Sequence, residues 1–298
     1  MARLRGKQWF SVTLRFRDLR ALATGPEEAR VVGMRKGVLG IWTAMVALAI
    51  LPALLRRVGA FPERSVPVLL YHHLAPESEG KYLDNGAIVP VEEFRQQMEW
   101  LREHGYRTIT VSELDRFLSR RWGFPPKGVV ITFDDGYESV ATYAVPILEN
   151  LGFRASVFVI GSQVGRNTSE LSHLSWEEMK TLSGKGVLEF QNHTFAAHYL
   201  IDGQHPALTE WPENLIVKDL KDLDNAFAEH GLARPVAVAY PYGAYNDVVV
   251  GAVKEAGLKM GFTVERGRVS TNSDRFRLPR MIVFPGTSIE KFAALVRE

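Results

Sequence analysis

From position 66 onward the chain alternates two kinds of pattern. Short, β-branched apolar runs occupy 66–71, 108–111, 129–133, 155–160, 187–190, 236–240, 259–264 and 281–284. They read as buried strands. Between them lie longer segments whose apolar residues recur every three or four positions, as in helices that cover a sheet. These fall at 90–104, from Ser112, up to 151, from Ser175, and at 212–230, 247–256 and 288–297. Gly105, Gly152, Gly231 and Gly257 sit where helix C-caps belong. This rhythm predicts an α/β protein with a parallel sheet. Seven or so repeats favour closure into a TIM-like barrel, with a doubly wound open sheet as the alternative. The stretch 199–211 is polar and contains proline, and it predicts a loop insertion.

A different pattern precedes the repeats. Residues 37–55 are apolar without a charge, flanked by Arg35-Lys36 and Arg56-Arg57. At about 19 residues the run can just span a bilayer as a helix. It has no polar stripe, as a core helix of that length would. The basic excess lies on its N-terminal side, so the N-terminus is expected in the cytoplasm and the rest outside it. The chain is thus divided into a basic segment (1–36), a transmembrane signal anchor (37–57) and a folded domain (58–298). Met34 directly precedes the run and is an alternative start. Val58-Gly59-Ala60 offers a cleavage site, and cleavage after Ala60 would release a secreted domain.

Composition narrows the function. Apolar content of 46% and charged content of 23% are those of a globular protein. A net charge of +2 gives no field for nucleic acid. The absence of cysteine excludes disulfides, thiolate metal sites and a cysteine nucleophile.

Candidate chemistry gathers at predicted strand ends, where parallel barrels keep their reactive groups. The first strand runs into His72-His73 and the 129–133 strand into Asp134-Asp135-Gly136. Another leads to Gln191-Asn192-His193-Thr194, with His198 five residues past His193, and a fourth to Tyr240-Pro241-Tyr242-Gly243. Two adjacent carboxylates at the end of a buried strand repel each other and resist desolvation. A divalent cation held by Asp135, His193 and His198 removes that difficulty. Residues at i and i+5 diverge on a helix, so the two imidazoles must converge from a loop. Asp134 is then free to act as base toward a water activated by the cation. Zinc suits these donors; nickel, cobalt or iron would too.

These motifs, in this order, resemble those of the polysaccharide deacetylase family, the NodB-homology carbohydrate esterases. Thr132-Phe133-Asp134-Asp135-Gly136 matches the first motif, Asn192-His193-Thr194 with His198 the second, and Pro241-Tyr242-Gly243 the third. The five-residue histidine spacing, 67–73 and 278–283 are similar to the branch that deacetylates poly-N-acetylglucosamine. The resemblance implies a distorted (β/α)7 barrel that removes acetyl groups from an N-acetylated glycan. It assigns Asp134 as general base, Asp135, His193 and His198 as metal ligands, and the Tyr242 backbone amide as oxyanion donor. Two features depart from the wider family. Ala239 stands where an arginine precedes Pro-Tyr-Gly, and no histidine follows His230 to serve as acid. Arg280 is expected to orient Asp134 instead, and His72, in preference to His73, to protonate the leaving amine. Two other functions fit the same chain: a non-catalytic glycan-binding barrel and a hydrolase of another amide.

Overall fold

The computed structural model describes residues 65–79, 86–120, 124–167 and 171–297. The basic segment, the expected anchor at 37–57 and Ala60 lie outside them. Among the described residues no helix is long and apolar enough to cross a membrane.

The chain runs through β1 (Val68–Tyr71), β2 (His73–Ala75), β3 (Ile88–Pro90), α1 (Val91–Glu103), β4 (Arg107–Thr108) and α2 (Val111–Arg120). Then come β5 (Gly128–Phe133), α3 (Val145–Leu151), β6 (Ala155–Val159), α4 (Trp176–Gly184) and β7 (Leu188–Asn192). A small hairpin of β8 (Leu200–Ile201) and β9 (His205–Pro206) leads into α5 (Ala207–Glu210) and α6 (Glu213–Glu229). The chain ends with β10 (Ala237–Ala239), α7 (Asp247–Glu255), β11 (Met260–Phe262), β12 (Met281–Ile282) and α8 (Ile289–Arg297).

Seven strands form one parallel path in the order β11-β10-β7-β6-β5-β1-β12, and β4 pairs with the start of β5. The path curls back on itself. Just before β12, the chain lies beside β11 through Leu278 N to Gly261 O (2.8 Å) and Thr263 N to Leu278 O (2.9 Å). The curled parallel sheet fits a distorted (β/α)7 barrel rather than a flat open sheet. The connection 263–280 between β11 and β12 carries no helix, which is one source of the distortion.

Strand parity builds two cores. On β5, Val129, Ile131 and Phe133 face outward and share a fully buried cluster with Phe94, Met98 and Leu148 of the covering helices. Each such side chain contributes about 1.5–3 kcal/mol by leaving water. Val130 faces inward, among Phe158, Ala239 and Phe262. The same parity sends Thr132 and Asp134 into the barrel.

The expected 199–211 insertion is present, and it holds the β8–β9 hairpin and α5. β1 ends at Tyr71, as expected, but His73 then opens an unexpected short strand, β2, which pairs with β3.

Candidate active site

Asp134 follows β5 and is 3% exposed. A lone carboxylate there would be protonated. Instead Arg280, itself fully buried, donates from both terminal nitrogens, to Oδ1 and Oδ2, at 2.7 Å each. Such a two-pronged pair is strong and fixes the carboxylate plane. The chain holds Arg280 by an irregularity in the ladder. Its backbone N–H skips one position, to Glu265 O, so Thr263 O is left to accept from its Nε at 2.9 Å. The guanidinium also lies over the rings of Phe158 and Phe262, at 5.5 and 5.9 Å. Burial pushes the Asp134 carboxyl up, but Arg280 and then His193 outweigh it and hold it below the usual range.

Asp135 turns away from its neighbour. Its φ of 71° and the φ of 82° at Gly136 end the strand in a sharp left-handed turn. A Cβ at position 136 would meet Val159 Cγ1 at 2.9 Å, so only glycine fits. The turn brings Asp135 Oδ1 to 3.4 Å from His193 Nε2 and 3.4 Å from His198 Nε2. The His193 Nδ1 bonds the Ala239 carbonyl at 2.8 Å, which leaves Nε2 to face Asp135. Burial works against charge on His193, but Asp134 and Asp135 outweigh it and raise its pKa. Burial, then His193, push His198 down to about 4, so its imidazole is neutral and able to ligate.

These three donors fit a divalent cation. Asp135 Oδ1 is buried and has no hydrogen-bond partner. Its 3.4 Å separations exceed a charge-assisted hydrogen bond of about 2.7–2.9 Å. They match two donors placed at ~2.1 Å from one zinc at a tetrahedral angle.

The remaining groups surround this cluster. His72 is half-buried just past β1, close enough for its charge to act on both aspartates. His73 points elsewhere: its ring meets Tyr137 edge-on at 5.2 Å, and burial, then His173, lower its pKa to about 4. Tyr242 occupies a left-handed turn (φ 59°), half-exposed, its ring against His198 at 4.7 Å. Two contributors escaped the sequence reading. The Ala239 carbonyl acts through backbone, which carries no residue signal. Tyr137 lies near the Asp135 carboxylate, and burial and then that charge push its hydroxyl pKa up; it reads in sequence as an ordinary turn aromatic.

Carboxylates and imidazoles converging at the strand ends of a parallel barrel mark the protein as an enzyme of the barrel class. Residues 123–261 match the family model for polysaccharide deacetylases. The poly-beta-1,6-N-acetyl-D-glucosamine N-deacetylase of Staphylococcus aureus (strain N315) is 30% identical over 234 residues, 75% of this chain and 80% of that one. The structure of IcaB from Ammonifex degensii superposes with a TM-score of 0.69 at 29% identity, covering 79% of this chain and 98% of the other. The Streptococcus pyogenes deacetylase PplD, solved in complex with acetate, gives 0.69 at 26% identity over 80% and 100%. The chain belongs to the polysaccharide deacetylase (NodB-homology) family, alongside the poly-N-acetylglucosamine branch. It is accordingly a hydrolase of carbon–nitrogen bonds.

Proposed function

We propose that this protein removes acetyl groups from an N-acetylglucosamine polymer outside the cytoplasm, using a divalent cation, zinc by its donors. The observation that carries the proposal is the Asp134–Arg280 fork set beside the Asp135, His193 and His198 donors. Likeness to the Staphylococcus aureus deacetylase supports the polymer. The apolar run at 37–55 and its basic flank support an anchored protein with a translocated barrel.

Asp135, His193 and His198 would hold the cation. When bound, it supplies Lewis acidity to a water and to the acetamide carbonyl. Asp134 accepts the proton of the attacking water, and Arg280 keeps that carboxylate ionised and oriented. The Tyr242 backbone N–H donates to the oxygen that gains charge. His72 protonates the leaving amine, and acetate and a free amino sugar depart.

Acetate release from oligomeric β-1,6-N-acetylglucosamine, with and without chelator, tests this reading. Release that stops on chelation and returns with zinc is the expected result. Metal uptake without release from any glycan would instead favour a glycan-binding barrel or another amide substrate.

A further inference from the structure

The two histidines of the cluster sit at the ends of a loop, and the loop's backbone bonds identify what shapes it. Thr194 has a φ of 69°, so 193–198 is neither strand nor helix. Its carbonyls are taken by β6's continuation, with Gly161 N to Thr194 O at 3.0 Å and Ser162 N to Phe195 O at 2.7 Å. The His193 amide still bonds Val159 O at 3.0 Å, but the amides of 194–197 meet no backbone acceptor among the described residues. The Asn192 side chain accepts from Thr194 N at 2.7 Å. The next two amides turn to one carboxylate on α6: Phe195 N to Asp219 Oδ2 at 2.7 Å and Ala196 N to Asp219 Oδ1 at 2.8 Å. Successive amides converging on an anion form a nest, and the protein supplies the anion itself. Asp219 is 5% exposed, and its carboxylate forms no salt bridge among the described residues.

Asp219 stands in the apolar stripe of α6. Ile216, Leu220, Leu223 and Phe227 bury the same side. A carboxylate in that stripe is expensive unless several donors meet it. Those donors are the loop that separates His193 from His198. Asn192 completes the clip, since its amide group donates to Leu220 O, one residue beyond Asp219, at 3.1 Å.

We infer that Asp219 is a positioning residue for the metal site: it holds the 194–197 loop in the shape that brings His193 and His198 onto one cation. The assignment rests on the metal reading above. It gives the five-residue histidine spacing a physical support, because a loop this irregular needs acceptors that neither strand nor helix provides.

The test is zinc affinity of the full-length protein, measured by chelator competition, together with thermal unfolding of the metal-stripped form. Asp219→Asn keeps the shape but replaces one acceptor by a donor facing amides. It should weaken zinc binding 10–100-fold, as loss of an outer partner does, with the stripped protein's midpoint within about 3 °C of wild type. Asp222→Asn, on the same helix in an exposed pair with Lys218, should bind as wild type. A folded Asp219→Asn with unchanged affinity would overturn the assignment. If that variant does not fold, hydrogen exchange in the metal-stripped wild type decides. Slow exchange at Phe195 and Ala196 supports a loop preformed by Asp219, and fast exchange overturns it. A wild type that binds no zinc would instead bring down the metal reading, and the assignment with it.

Discussion

Asp134 and Arg280 form a buried pair whose members depend on each other. Removing the arginine strands a carboxylate at 3% exposure. Arg280→Met should destabilise the protein by about 3–5 kcal/mol in urea denaturation at neutral pH. It should also move the acid limb of the kcat/KM profile upward. In the wild type the Asp134 carboxyl titrates below its ordinary value, so it stays ionised to lower pH than an ordinary aspartate. The depressed pKa likewise contributes stability above the unfolded value, lost as pH falls through the folded one. Without Arg280, burial dominates and the base is lost at higher pH; an unmoved limb would detach Arg280 from the base. His72 is not among the three clustered donors, so His72→Ala should lower kcat by about 10²–10⁴-fold while zinc content stays stoichiometric. Wild-type turnover in that variant would remove His72 from the reaction.

At the scale of elements, the site depends on how β5 ends. Two more residues of regular strand after Phe133 would send Asp135 outward into the helix layer, because parity alternates. The left-handed turn at 135–136 prevents that. Gly136→Ala puts a methyl against Val159 in a backbone region that L-residues avoid. It should destabilise the fold by about 1–3 kcal/mol, seen as a lower thermal midpoint, and weaken zinc binding by displacing Asp135. Full stability in that variant would mean the turn relaxes at no expense. Most elements were legible from periodicity: β5, α1, α6 and α7 fall within a residue or two of expectation. β2, β3 and the β8–β9 hairpin were not, because two- and three-residue strands have no period to detect. The Ser175 cap was legible, since its side chain and Glu178 complete a reciprocal capping pair.

At the scale of the whole molecule, a cation that binds only the folded barrel must stabilise it by mass action. Zinc at about 100 times its dissociation constant should add roughly 2.7 kcal/mol. Metal-stripped protein should therefore melt higher on zinc addition, and Asp135→Ala should show no such shift; an equal shift in that variant would place the metal elsewhere. By itself the sequence determined the βα order, the strand-end motifs and the apolar run before the barrel. These are local properties, written in periodicity and in residues adjacent in the chain. Only the tertiary structure decided that the sheet curls until β12 meets β1 and its approach lies along β11. Only that curl puts Arg280, 146 positions from Asp134, into the barrel beside it. The carboxylate that braces the histidine loop came to light the same way. Asp219 falls in the apolar stripe of its helix, but its partners are backbone amides, which every residue carries and no sequence distinguishes.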